Sequence, residues 1–152
     1  MQSIMKDRES SKKIHRLKVD AQFPFKIIGI SSHENDYRLI WAVNANLHTR
    51  FVKIENFRIP DAKGIENEFS RYYFEDEDRY IACYIISNRC DNGYMVPEYR
   101  TVDYFMFLKG ETGTGFTSET IRRLKRIEII STAFLIDNKT IRSIKRLNHL
   151  DG

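Results

Sequence analysis

The stretch Asp103-Tyr104-Phe105-Met106-Phe107-Leu108-Lys109 is apolar throughout its interior and charged at its two ends. A strand with one wet face alternates polar with apolar, so an unbroken run of this kind predicts a central strand buried on both sides. Downstream, Gly110 opens a glycine-containing loop, and Ser118 with Glu119 reads as the start of a helix. Ile121, Leu124 and Ile127 form its apolar stripe, and Arg122, Arg123, Lys125 and Arg126 its opposite face. Glu128 to Asp137 then reads as a strand. Strand, helix, strand in that order predicts a right-handed crossover that sets two strands parallel in one sheet.

Upstream, candidate strands at 51–59, 69–75 and 79–87 are rich in aromatic and β-branched residues and are separated by polar turns, as in an antiparallel meander. Asn92-Gly93 is a tight-turn signal leading into Tyr94 to Val96. Phe25 to Ser31 follows Pro24 and reads as a strand, with Ser31 and Glu34 at capping-box spacing. Between Asp36 and Leu47 the apolar residues Leu39, Ile40, Val43 and Leu47 fit a helix, although Tyr37, Leu39, Trp41 and Val43 also alternate as a strand would; helix is the chosen reading. Leu17 and Val19 begin an alternating strand after a polar stretch, and Ile141, Ile144 and Leu147 suit a short closing helix. The expected organisation is a flexible tail at 1–11 and one α+β domain at 12–152. Its sheet is mixed and mostly antiparallel, with helices packed on one face. A C-terminal βαβ unit is compatible with a ferredoxin-like half.

The 152 residues suffice for one hydrophobic core. The net charge of +4 is unevenly spread. Residues 61–78 hold seven acids against two bases, whereas from Glu119 onward eight bases face four acids. Such a basic region suits an anion or an acidic partner, and equally a solvated helix face. No stretch approaches the roughly 18 apolar residues of a membrane span, and the N-terminus lacks the apolar core of a signal peptide, so the expectation is a cytoplasmic protein without a membrane partner. Cys83 and Cys90 are expected as free thiols. The four histidines are scattered, so neither a metal site nor a cofactor is implied.

Gly110-Glu111-Thr112-Gly113-Thr114-Gly115-Phe116-Thr117 has the glycine and threonine spacing of a phosphate-binding loop, but Phe116 stands where such a loop needs lysine. Without that cation the loop is expected not to hold a nucleotide. Arg71-Tyr72-Tyr73-Phe74 interleaves a base with aromatics, the composition of a stacking surface for single-stranded RNA and also of a half-buried strand.

Val96-Pro97-Glu98-Tyr99-Arg100-Thr101-Val102-Asp103-Tyr104 resembles the signature of a bacterial family named for its motif, Ile-Pro-Glu, three variable residues, then Val-Asp-Tyr. Val96 replaces the isoleucine. The resemblance extends to Gly29-Ile30-Ser31-Ser32, Asp36-Tyr37-Arg38-Leu39 and Thr132-Ala133-Phe134 before Ile136-Asp137. It implies a small cytoplasmic protein, brings no activity with it, and hints at RNA metabolism through the family's gene neighbourhood. From the residues alone, Pro97 ends one strand and Val96, Pro97, Glu98, Val102, Asp103 and Tyr104 form a corner, with Glu98 or Asp103 bonding backbone N–H groups freed at the bend. The competing roles are an interaction site or an acid–base pair of Glu98 and Asp103, and no catalytic residue is assigned. The expected function is a non-enzymatic binding or adaptor domain for a protein partner or a second copy. The alternatives are an RNA-binding accessory protein using Arg122, Arg123, Lys125 and Arg126, or a small enzyme.

Overall fold

A computed structural model describes residues 23–61, 63–142 and 144–151. The expected tail at 1–11 and the strand around Leu17 and Val19 lie outside the described residues. In chain order the elements are β1 (Lys26–Ser31), α1 (Asp36–Leu47), β2 (Val52–Pro60), β3 (Glu66–Asp76), β4 (Ile81–Ser87), the two-residue strands β5 (Arg89–Cys90) and β6 (Gly93–Tyr94), a 3-10 turn at Pro97–Tyr99, β7 (Tyr104–Gly110), α2 (Thr114–Lys125) and β8 (Thr132–Ile136). A 3-10 turn at Asn138–Thr140 follows β8, and another at Ile144–Leu147 stands where the sequence predicts a short closing helix.

The fold is α+β. Six strands form one sheet in the order β2-β3-β4-β7-β1-β8, and every neighbouring pair is antiparallel. β7 and β8 therefore run parallel to each other, as a βαβ crossover requires, but β1 is seated between them and bonds to both. The strand–helix–strand reading thus holds in a split form.

β7 is central because its side chains leave no face for water. Tyr104, Met106 and Leu108 point to one side, and Phe105 and Phe107 to the other, all buried. The first side is joined by Ile28 and Ile30 of β1, Ile81, Cys83 and Ile85 of β4, and Tyr72 of β3. It is covered by Leu39, Ile40 and Val43 of α1, Leu124 of α2 and Ile127 beyond it. Both helices lie on this face. The second side, with Ile27, Tyr84, Ile86, Phe57 and Phe69, is covered by Met95, Val96 and Val102 and by Ile141, Leu147 and Leu150 near the C-terminal end.

The helix starts differ from the sequence reading for local reasons. α1 is capped by Asn35, whose side chain accepts from the Arg38 N–H at 3.1 Å, while Ser32 Oγ accepts from the Glu34 N–H one turn earlier. α2 begins at Thr114 after Gly113, not at Ser118. Thr117 and Thr120 turn their hydroxyls back onto the Gly113 and Phe116 carbonyls and so tolerate helical positions. In the β5–β6 hairpin Cys90 pairs with Gly93, which puts Asp91 and Asn92 at the turn's centre rather than Asn92 and Gly93. Neither central residue has positive φ, so this is not the mirror-image turn the Asn-Gly pair predicts.

A buried arginine ties the C-terminal segment to the sheet. Arg71 donates from Nε to the Glu55 carbonyl at 2.9 Å and from a terminal nitrogen to the Leu150 carbonyl at 2.7 Å, and its guanidinium lies about 6 Å from the Phe57 and Tyr84 rings. Two carbonyls and two ring faces thus solvate the charge.

Gly110 has φ +112, and a Cβ there would stand 1.9 Å from the Tyr80 carbonyl oxygen, so both backbone and space require glycine. Gly64 has φ +82 but meets nothing within 4 Å. Gly110→Ala is expected to cost about 3 kcal/mol and Gly64→Ala about 1 kcal/mol in urea denaturation. Equal losses would contradict the contact with Tyr80.

Burial pushes the Cys83 thiol up to about 12, and burial followed by carboxylate neighbours, Asp36 and Glu75 respectively, pushes the Tyr72 and Tyr73 hydroxyls up to about 12. Folding favours each neutral form. The resulting stability is complete below the ordinary values of 9.0 and 10.0 and is lost as pH rises towards 12. The melting temperature is expected to decline between those limits, and a flat profile to pH 12 would contradict this account.

Candidate functional site

The Val96–Tyr104 signature folds as a corner between the β5–β6 hairpin and β7. Val96 is extended at φ −122°, ψ 93°, as the residue before proline prefers, and Pro97 opens the 3-10 turn, where a missing N–H leaves nothing unpaired. Val96 and Val102 are fully buried in the second layer. The polar members all reach backbone groups of other segments. Glu98 accepts from the Arg142 N–H at 2.8 Å. Asp103 accepts from the Ser32 N–H at 2.8 Å through one oxygen and meets Arg89 at 2.7 Å through the other. Tyr104 donates its hydroxyl to the Glu34 carbonyl at 2.6 Å. Burial, then the nearby Asp36 and Asp103 carboxylates, raise the hydroxyl's pKa strongly, so it remains a donor.

The sequence reading missed the residue that organises this corner. Asn88 is 0% exposed and uses every polar group it has. Its side-chain nitrogen donates to the Tyr99 and Val102 carbonyls, both at 2.8 Å, and its side-chain oxygen accepts from the Val96 N–H at 2.8 Å. Its backbone donates to the Asp103 carbonyl and accepts from the Met95 N–H. Within Ser87-Asn88-Arg89 it looks like an ordinary turn asparagine, and no local pattern marks it otherwise.

Asp103 and Glu98 bond to different segments, at Ser32 and Arg142, and Glu98 is exposed. Among the described residues no three His, Cys, Asp or Glu side chains converge as metal ligands.

The second sequence candidate, Arg122, Arg123, Lys125 and Arg126, lies in solvent on the last turn of α2 and its C-cap, with Leu124 and Ile127 turned inward. Glu119 holds two of the four: Arg122 donates to it at 2.9 Å and Arg123 at 3.1 Å. These bonds lower the Glu119 pKa. The basic face therefore carries less free charge than its residue count implies. The Arg71–Phe74 aromatics do not make a stacking surface. Tyr72 is buried with its hydroxyl on Asp36, Phe74 packs on Phe51, and Tyr73 packs on Tyr84 across the other face. In the glycine loop, Lys26 donates to the Thr112 carbonyl and Phe116 packs against the core.

α1 carries two of the three most exposed aromatic side chains among the described residues, the third being Tyr80. Trp41 is 75% exposed and Tyr37, one turn earlier, is 64% exposed, while Leu39, Ile40 and Val43 of the same helix are buried. Comparison with known proteins gave no match: no family model fits the sequence, and no curated protein or solved structure resembles it significantly.

The corner geometry sets an order of damage. Tyr104→Ala is expected to cost about 3–5 kcal/mol. Asn88→Ala, which strands an N–H and two carbonyls, should cost about 3 kcal/mol or more, Asp103→Ala about 1–3 kcal/mol, and Glu98→Ala about 1 kcal/mol. Thermal and urea unfolding of the isolated chain measures this series. Unchanged unfolding in Asn88→Ala and Asp103→Ala would contradict the structural role.

Proposed function

We propose that the chain is a non-enzymatic binding domain of the cytoplasm that engages a protein surface through the outer face of α1, its first partner being a second copy of itself. The observation that carries this reading is the Tyr37–Trp41 pair, two large aromatics one turn apart and held in water on a helix whose opposite stripe is fixed in the core. Such residues supply contact area at low entropic cost and dominate interface energies when they become buried. The carboxylates that alone argue for an enzyme are already engaged with backbone groups and Arg89. Membership of the Ile-Pro-Glu…Val-Asp-Tyr family is proposed on the signature, whose residues here act as a fold determinant.

Trp41 is the single tryptophan, so its fluorescence reports this face directly. With rising protein concentration the emission is expected to shift to the blue in step with dimer formation in sedimentation. Trp41→Ala and Tyr37→Ala should abolish association with no more than about 0.5 kcal/mol change in stability. A chain that stays monomeric with unshifted emission overturns self-association. RNA is the second reading, favoured by the exposed row Arg122, Arg123, Lys125 and Arg126. Bound nucleic acid that is released as salt rises, and is lost in Arg122→Gln/Lys125→Gln, would replace the protein-partner reading.

A further inference from the structure

A cavity of about 500 Å³ lies between the C-terminal end of α1, one side of α2 from Phe116 to Arg123, and the sheet. It opens where β3 turns into β4, beside Asp76, Arg79 and Ile81. This volume is in the range of small-molecule sites. It is open to solvent and its lining is mixed, with more apolar than polar surface, as ligand clefts commonly are. Phe51, Phe74, Met106, Leu108 and Phe116 form its apolar side, beside the polar His48, Thr49 and Thr120. Cys83 also lines it, but burial holds this thiol neutral with a pKa near 12, so the walls offer packing and no nucleophile.

The mouth is charged, and its donors outlast its acceptors. Glu119 is occupied by Arg122 and Arg123 together. Arg123 uses Nε for this bond, and its two terminal nitrogens have no hydrogen-bond partner among the described residues. Asp76 accepts from the Arg79 backbone N–H at 3.2 Å. The Arg79 Nε pairs with that carboxylate only as an ion pair at 3.8 Å, too long for a hydrogen bond, so its guanidinium N–H groups make no hydrogen bond among the described residues. Both arginines line the cavity and are about half exposed or more. An arginine fork matches an oxyanion with two parallel N–H bonds.

We propose that this cavity binds an amphipathic anion, an alkyl or aryl chain ending in a carboxylate or phosphate, with its apolar part against Phe51, Phe74, Met106, Leu108 and Phe116 and its head held by Arg79 and Arg123. The proposal stands apart from docking at Trp41, which lies outside the cavity lining.

Two methionines on opposite faces of the sheet give the test its internal control. Met106 lines the cavity and Met95 is buried in the other layer. With the chain labelled at its methionine methyl carbons, dodecanoate and dodecyl phosphate are titrated separately, and dodecanol serves as the uncharged probe. The Met106 signal is expected to move saturably while Met95 stays in place. Arg79→Gln/Arg123→Gln should weaken at least one of the two anions tenfold or more and change dodecanol less than twofold, and whichever anion binds more tightly identifies the head group. A Met106 signal that never moves overturns the site, as does movement of Met95 in parallel, which marks detergent-like unfolding. Equal weakening of dodecanol, or no weakening of either anion, overturns the role of the arginines.

Discussion

Phe105, Met106 and Phe107 bury both sides of one strand, and this double burial is the constraint on which the other elements depend. A strand without a wet face needs a neighbour at each edge and a cover over each side. β1 and β4 take the edges. The helices take one side, and the corner residues with the C-terminal segment take the other. Because β7 admits no charge in its interior, polar control is exercised at its start, where Asp103 and Tyr104 reach back to the segment leading into α1.

The same economy explains why the corner is rich in polar side chains. Buried backbone groups must be paired, and a chain that leaves a hairpin, turns at a proline and enters a central strand frees several at once. Asn88 pairs three of them with one side chain. Asp103 spans an N–H and a guanidinium, which partly neutralises a carboxylate that is largely buried. Glu98 and Asp103, members of one motif, bond in space to two different segments, at Arg142 and Ser32.

The unbroken apolar run of β7, the aromatic and β-branched runs of the meander and the helical stripe at Leu124 and Ile127 were enough to read these elements and the crossover, because each owes its existence to a burial pattern within a single stretch. The corner's carboxylates were also legible, since proline restricts its own and its neighbour's backbone whatever lies around it. Asn88 and Arg71 were not. Their importance comes from the carbonyls of Val102 and Leu150, 14 and 79 residues away, which no local pattern announces. The start of α2 was misplaced because two threonines bond back onto their own helix, so residues of modest helix propensity extend it by a turn. The cavity was invisible for a related reason: its walls come from both helices and from strands β3, β4 and β7.

The seating of β1 between β7 and β8 has a kinetic consequence. β2, β3 and β4 join by short turns and can pair as the chain meets itself locally, but β1 pairs only with strands that follow it by more than seventy residues, as Ile30 with Tyr104 and Ser31 with Thr132. Closing such long loops costs entropy before any pairing returns it. The meander with β7 is thus the natural nucleus, and the slot beside it stays open until the early strand enters. During that interval the edge of β7 is an unpaired, wholly apolar ribbon, the kind of surface on which chains in the act of folding find one another.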